Sequence, residues 1–174
     1  EVAQAHDGSL SLAHAYIDAV SKAGADAVKF QCHIAEAEST PTEPWRVEPA
    51  WKQDLNRYAY WKRMEFTAEQ WAGLATHAKD SGLIFLCSPF SVAAADMIEP
   101  LVPAWKVPSG EIEHEPLMAR LASSGLPLIV STGMSTRREL RDVVIKLVSR
   151  TQAPYALLHC TSVYPTPPRM VDLG

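Results

Sequence analysis

The segment AWKVPSGE, residues 104–111, decides the fold predicted for this chain. A short apolar run carries a lysine near its end, a Ser-Gly-Glu turn follows, and helix-like sequence comes next. A short apolar run that ends in a polar cluster recurs around KFQ at 29–31, SP at 88–89, STG at 131–133 and HCT at 159–161. Short strands that alternate with helices are typical of parallel β/α folds. The pattern predicts an α/β fold of the aldolase-type (β/α)8 TIM-barrel class, whose strands all end at one face.

The number of segments predicts an incomplete barrel. Six strand-like segments lie at 2–4, 25–31, 83–87, 104–107, 127–132 and 155–160, with about five helices between them. A closed barrel has eight strands and eight helices in about 250 residues. We therefore expect residues 1–174 to form a single partial catalytic domain, with six of the eight strands. This piece of a longer enzyme should be inactive as it stands.

Helix boundaries are marked by residues that satisfy free backbone groups. The first helix is predicted over 9–23, and capping boxes of Thr67 with Gln70 and of Thr136 with Glu139 predict two later starts. The other boundary residues are Ser91 as an N-cap, Pro116 at a first helical position, and Gly24, Gly82 and Gly125 after helix ends. The predicted buried stripe of the fifth helix is Leu140, Val143, Val144 and Leu147.

One connection, residues 33–66, is far longer than an ordinary loop between a strand and a helix. It carries five large aromatic residues among prolines and charges: Trp45, Trp51, Tyr58, Tyr60 and Trp61. We expect this insertion to serve as a lid or an interface. The alternative is a self-packed surface insertion without a role in substrate handling, because aromatic residues also serve packing.

Composition excludes several classes of partner. A formal net charge of −4 provides no basic surface for nucleic acid or an anionic membrane. No apolar run approaches the roughly 18 residues of a membrane span, and no signal peptide opens the chain, so a cytoplasmic location is expected. The three cysteines, Cys32, Cys87 and Cys160, are odd in number and follow apolar runs, which indicates reduced, structural thiols.

Two lysines near predicted strand ends indicate an anionic ligand. Lys106 precedes the turn formed by Ser109, Gly110 and Glu111, whose glycine lets backbone amides approach an anion. Lys29 occupies the corresponding place in an earlier strand. Either lysine could instead form a structural ion pair, but two inward ammonium groups without a bound anion would repel each other.

Hydroxyl and carboxyl groups complete the candidate set. Ser88, Ser131 and Thr132 together suit phosphate, although each could simply bond local backbone at a helix start. The amides of STGMST, 131–136, precede a helix N-terminus that favours anions. Glu1 and Glu111 could bond sugar hydroxyls, transfer a proton or stabilise a developing cation, or else pair with the lysines. His159 is expected to be a wall residue rather than a catalytic one.

Six motifs in order make the sequence recognisable: HDGSL (6–10), AGADAVKFQ (23–31), GLIFLCSPFS (82–91), AWKVPSGE (104–111), GLPLIVSTGMS (125–135) and YALLHCTSVYPTP (155–167). They resemble the N-terminal barrel of the sialic acid synthase family, which includes N-acetylneuraminate, legionaminic acid and pseudaminic acid synthases. The resemblance implies condensation of phosphoenolpyruvate with N-acetylmannosamine or a related N-acetylated amino sugar. The products would be phosphate and a nine-carbon 2-keto acid.

The resemblance also implies roles for individual residues. The family's phosphoenolpyruvate contacts match Lys29, Ser88, Lys106, Ser109 and Ser131. Substrate-facing positions on the acceptor side match Gln31, Tyr164 and Ser162, where many members have Asn in place of Ser162. Glu1 and Glu111 match active-site carboxylates, and Glu111 is placed to favour an oxocarbenium-like centre.

Other family features are expected outside these residues. A divalent metal, Mn²⁺ or Mg²⁺, is implied, with two histidine ligands on the last two strands, so His6, His33 and His159 are not assigned to it. A homodimer is implied for the full-length protein, and the antifreeze-like C-terminal domain is absent from this sequence. Ala5 before His6 departs from the common Asn-His-x-Gly motif, and Ser88-Pro89 departs from Thr-Pro, which leaves the acceptor sugar open.

Two other functions fit the same residues. In a Schiff-base aldolase or lyase of a keto acid, Lys29 or Lys106 would attack a carbonyl directly. In a non-catalytic barrel, the same groups would only bind a sugar phosphate or contribute an interface.

Overall fold

A computed structural model describes residues 1–46 and 53–171, except for the side chains of 144 and 147–150. Its strands are β1 (Ala27–Cys32), β2 (Ile84–Pro89), β3 (Trp105–Val107), β4 (Leu128–Ser131) and β5 (Tyr155–Leu158). Its α-helices are α1 (Leu10–Lys22), α2 (Ala35–Glu38), α3 (Arg57–Met64), α4 (Ala68–Asp80), α5 (Val92–Ile98), α6 (Glu115–Ser123) and α7 (Arg137–Arg150). Short 3₁₀ turns are Glu99–Leu101, Ser109–Glu111 and Pro168–Met170. The chain divides into two compact units, Glu1–Pro103 and Ala104–Gly174.

In the first unit, β1 and β2 pair in parallel. Alternate residues of β1 are buried, and Phe30 packs its ring against Trp71 of α4 and Phe85 of β2, with centroid distances of 6.0 and 5.8 Å. Because side chains alternate across a strand, Lys29 and Gln31 lie on the opposite face from Phe30. The apolar core therefore holds one face of the pair, while the other face is left for polar groups.

In the second unit, three parallel strands are ordered β3-β4-β5. Trp105, Val107, Leu128 and Val130 are buried, and α6 packs next to α7. Every residue of β5 is exposed in this structure. The polar residues that follow β3 and β4 stand at the carboxyl ends of this sheet.

The predicted helix boundaries are largely confirmed. Both capping boxes form, with the Gln70 and Glu139 amides donating to the threonine hydroxyls and the glutamine and glutamate side chains accepting in return. Ser91 caps α5 as predicted. Gly24 follows α1 with a φ of +75°, a conformation that glycine adopts without steric cost. Pro116 is the second residue of α6 rather than the first.

Other predictions need correction. The predicted strand at 2–4 is only an isolated bridge between Ala3 and Phe30, because Ala3 has a φ of +49° and the chain turns there. The predicted loop at 33–66 contains two helices, α2 and α3. Three predictions lie outside the described residues: Trp51, and the side chains of Val144 and Leu147.

The α/β class with parallel sheets is confirmed, but the five described strands form two separate sheets and do not show a closed barrel. In the described part of the chain, no helix combines the length and apolar character that crossing a membrane requires.

Candidate functional site

Lys106 and Ser131 form the polar centre of the second unit. Lys106 belongs to β3 and Ser131 ends β4, and both residues are buried, with 9% and 7% of their surfaces exposed. The Lys106 ammonium donates to Ser131 Oγ at 2.6 Å and to the Val107 carbonyl at 3.0 Å. A buried ammonium is costly unless polar groups surround it, and it binds anionic oxygen more strongly than an exposed one would.

Three strand ends meet beside this pair. Ser109, in the turn after β3, accepts a hydrogen bond from the Gly133 amide at 3.0 Å. A Cβ atom at position 133 would lie only 2.7 Å from Ser162 Oγ and 2.8 Å from the Cys160 carbonyl. Glycine is therefore required at 133 by close approach of the chain after β5. The predicted residues Ser109, Ser131, Ser162 and Lys106 accordingly lie at one end of this sheet.

Four backbone amides of the STGMST loop, which the sequence predicts as anion donors, donate instead to groups of the protein itself. The Thr132 amide donates to the Leu158 carbonyl, the Gly133 amide to Ser109, and the Ser135 amide to the Thr132 carbonyl. The Thr136 amide donates to Glu139. Because these amides already have partners within the protein, side chains are the better candidates for binding an anion in this unit.

The remaining predicted residues of this unit are placed differently. Glu111, whose side chain is 20% exposed, has Oε2 at 3.0 Å from Nδ1 of His114. Tyr164 is 92% exposed, so the structure does not bury it against the lysine–serine pair. His159 is also exposed. The roles predicted for Glu111 and Tyr164 stay predictions.

In the first unit, a series of polar contacts links Lys29, Glu1, Gln31 and Gln4. The Lys29 ammonium lies 2.5 Å from Glu1 Oε1, which is the ion pair considered as the alternative from the sequence. Gln31 Nε2 also donates to Glu1 Oε1 at 3.4 Å, and Gln4 Nε2 donates to Gln31 Oε1 at 3.0 Å. The carboxylate requires Gln31 to turn its amino group toward Glu1, which in turn makes Gln31 Oε1 the acceptor for Gln4.

Ser88 joins the same face of this strand pair. It is 1% exposed and stands directly opposite Gln31 in the parallel ladder of β1 and β2. Register partners in a sheet project to the same side, so Lys29, Gln31 and Ser88 share one face near the strand ends. The first unit thus brings together four of the predicted residues, the fourth being Glu1.

Sequence reasoning missed two polar residues of this unit. Gln4, which orients Gln31, was counted only as part of a short strand. His6 is fully buried, and its Nδ1 accepts a hydrogen bond from the Gly8 amide at 3.1 Å. Burial lowers the pKa of His6 to about 4, so its ring is neutral near pH 7. The only signal in the sequence was the place of His6 in the HDGSL motif, which does not show that its ring is buried.

The described residues do not fit a metal ion by themselves. No group of three or more His, Cys, Asp or Glu side chains is arranged to hold one within residues 1–46 and 53–171. Structural zinc sites commonly have four such ligands and catalytic zinc sites three.

Comparisons with known proteins place these features in a family. The NeuB family model matches residues 16–174. The N,N'-diacetyllegionaminic acid synthase of Legionella pneumophila is 36% identical over 97% of this chain and 49% of its own length. The N-acetylneuraminate-9-phosphate synthase of Drosophila melanogaster is 31% identical over 99% of this chain and 47% of its own length. The chain therefore spans about half the length of these relatives.

A solved structure shows the same fold. The N-acetylneuraminic acid (sialic acid) synthetase of Leptospira borgpetersenii, crystallised with citrate, aligns with a TM-score of 0.81 and 27% identity. The alignment covers 99% of this chain and 56% of that one.

Proposed function

The chain belongs to the NeuB family, and on this premise we propose that the protein condenses phosphoenolpyruvate with N-acetylmannosamine or a related amino sugar. The products are inorganic phosphate and a nine-carbon 2-keto sugar acid, either sialic acid or an analogue. Relatives named as synthases of legionaminic acid and of N-acetylneuraminate 9-phosphate support a sugar acid product.

The observation that carries the proposal is the buried pair of Lys106 and Ser131. An ammonium and a hydroxyl at the ends of neighbouring strands provide donors for anionic oxygens, and phosphoenolpyruvate has both a carboxylate and a phosphate. Ser109 and Ser162 add hydroxyls at the same end of the sheet. In the first unit, Lys29 and Ser88 offer the same kinds of group on one face.

The proposed reaction forms one carbon–carbon bond. The enol carbon of phosphoenolpyruvate attacks the aldehyde carbon of the open-chain sugar, and the aldehyde oxygen takes up a proton. The neighbouring carbon becomes oxocarbenium-like and is captured by water. Loss of inorganic phosphate from that carbon then leaves the keto group. Lysine and serine donors bind the leaving phosphate and hold the ester for attack.

Carboxylates complete the proposal. A negative charge near the oxocarbenium-like carbon stabilises it, and Glu111 is assigned that role because only a fifth of its side chain is exposed. Glu1 is held by Lys29 and Gln31, so it is assigned to sugar hydroxyls. The requirement for Mn²⁺ or Mg²⁺ and the homodimer are also part of the proposal. No step is assigned to the metal, because the described residues do not fit it.

A Schiff-base lyase is the second candidate. It is favoured by the burial of the Lys106 ammonium, since a desolvated lysine is the usual nucleophile in such enzymes. Borohydride treatment in the presence of pyruvate separates the two functions, because it traps a covalent adduct only if a lysine forms an imine.

The full-length protein tests the proposal through its product. Incubation with phosphoenolpyruvate, Mn²⁺ and a panel of N-acetylated amino sugars should yield a 2-keto acid whose mass equals sugar plus pyruvate. A chelator should abolish its formation. A borohydride adduct on Lys106 or Lys29, without any condensation product, would support the lyase and contradict the synthase.

A further inference from the structure

His33 occupies an unusual position in the first unit. It follows the last residue of β1, and only 2% of its side chain is exposed. Its ring is stacked between Trp61 of α3 and Phe90, which follows β2, with centroid distances of 3.8 and 4.0 Å and interplanar angles of 13° and 26°. A single imidazole therefore contacts the chain after both strands and a helix of the long insertion.

The imidazole is also fixed by a buried carboxylate. Its Nδ1 lies 2.7 Å from Glu38 Oε2, and the Glu38 side chain is 7% exposed. The other oxygen, Oε1, accepts from the Ile34 amide at 2.8 Å. The carboxylate requires Nδ1 to carry a proton, so the ring is held in one tautomer and one orientation. The other ring nitrogen, Nε2, is buried without a partner among the described residues.

This arrangement lies next to predicted substrate contacts. The Phe90 amide donates to the Cys32 carbonyl at 3.2 Å, which continues the bonding between the strands by one residue. Gln31 and Ser88, opposite each other in the ladder, immediately precede this bond. Movement of Phe90 away from β1 would therefore loosen the end of the ladder at Cys32 and Pro89, directly beside the pair of Gln31 and Ser88.

We propose that His33 is a positioning residue that clamps the carboxyl ends of β1 and β2 against α3 and so holds Gln31 and Ser88 in place for substrate. The role in substrate binding rests on the proposed function, whereas the clamp rests only on the contacts described above. The proposal also assigns a role to the insertion, since Trp61 lies within it and packs on one face of the His33 ring. The ring stack holds the two strand ends against α3 through aromatic contact, and the Glu38 carboxylate fixes the orientation of the imidazole.

Three variants of the full-length protein separate these contributions. His33→Asn keeps a donor near the Nδ1 position but loses the ring, His33→Phe keeps the ring but loses the donor, and His33→Ala loses both. The matched control is His77→Asn in α4, whose ring contacts His14 and Asp18 instead. Two quantities are measured: hydrogen exchange of the Phe90 and Ile34 amides, and the steady-state KM and kcat for phosphoenolpyruvate.

For His33→Ala, we expect exchange at Phe90 to rise at least tenfold and KM to rise about tenfold, with kcat within threefold of wild type. In His33→Asn and His33→Phe, both quantities should lie between those of wild type and His33→Ala. These two variants keep the test valid if His33→Ala fails to fold. His77→Asn should match wild type in both measurements.

Wild-type exchange at Phe90 in all three variants would overturn the clamp. Faster exchange with unchanged KM would overturn the positioning role. A wild-type protein that does not turn over phosphoenolpyruvate would instead contradict the proposed function, and the positioning role with it, while the exchange pattern would still decide whether the clamp exists.

Discussion

The ammonium of Lys106 donates a hydrogen bond to the hydroxyl of Ser131 across the neighbouring strands β3 and β4, at 2.6 Å. Both side chains are buried, and burial of an ammonium group opposes folding unless its hydrogen bonds compensate. A protein that needed only stability at this position would be served as well by an apolar side chain. Under the proposed function, the pair serves to bind an anion rather than to stabilise the fold.

This explanation predicts that Lys106→Met separates binding from stability. Methionine has a similar length and no charge, so we expect the melting temperature to stay equal or to rise. The Kd for phosphoenolpyruvate should increase at least tenfold, because one of the two proposed cationic donors is lost. Titration calorimetry and thermal unfolding of the full-length protein measure both effects. Lys22→Met, at the exposed end of α1, is the control and should leave the Kd unchanged. A variant that loses stability but still binds would contradict the explanation.

Gln4 is predicted to act through Gln31. Its amide donates to Gln31 Oε1 and fixes the orientation in which Gln31 Nε2 faces Glu1. Gln4→Leu removes this donor with little change in volume, so Gln31 can rotate. We expect KM for the acceptor sugar to rise about threefold to tenfold, with KM for phosphoenolpyruvate unchanged. The control is Gln152→Leu at an exposed position. An equal rise in both KM values would indicate a general structural effect instead.

His6 predicts a specific dependence of stability on pH. Its pKa is lowered by burial to about 4 in the folded protein, from an ordinary value of 6.5. Between these values the unfolded chain binds a proton that the folded protein does not, so the free energy of unfolding decreases as pH falls. The contribution is fully present above pH 6.5 and is lost toward pH 4, by about 3 kcal/mol in total.

The variant His6→Asn tests this dependence. Asparagine keeps an acceptor for the Gly8 amide but does not titrate, so its stability should fall less than that of wild type between pH 7 and pH 4. Urea unfolding at several pH values gives the two curves. Parallel curves would show that His6 does not contribute.

The buried thiols should resist modification. Burial raises the pKa of Cys32 to about 12 and raises that of Cys87 well above its ordinary value. Because the thiolate is the reactive form, both should react with iodoacetamide at pH 8 only when the protein opens. Cys160 is partly exposed and provides the internal comparison. Mass-spectrometric mapping should show Cys160 labelled first. Rapid labelling of Cys87 in folded protein would contradict its burial.

Features that depend on near neighbours in sequence could be predicted. The capping boxes at Thr67 and Thr136 each involve residues three apart, so the local pattern contains the whole interaction. Lys106 and Ser131 could be placed at strand ends because each follows a short apolar run. The topological rule for parallel strands then predicted their proximity.

Features that depend on distant residues could not be predicted. Gln4 and Gln31 are 27 positions apart, and His33 stacks on Trp61 of α3, which lies far along the sequence. Helix α3 was missed because its sequence, RYAYWKRM, lacks a regular apolar stripe. The predicted strand at 2–4 does not form because one residue, Ala3, adopts a left-handed conformation.

Release of inorganic phosphate from phosphoenolpyruvate by the full-length protein with Mn²⁺ distinguishes the proposed condensation from the other functions. Phosphate is measured with N-acetylated amino sugars, with the corresponding sugars that lack the acetamido group, and without sugar. We expect release only when an N-acetylated amino sugar is present, and at least a tenfold lower kcat/KM in Lys106→Met than in Lys22→Met. Release that is independent of sugar, or no release with any amino sugar, would contradict the proposed function.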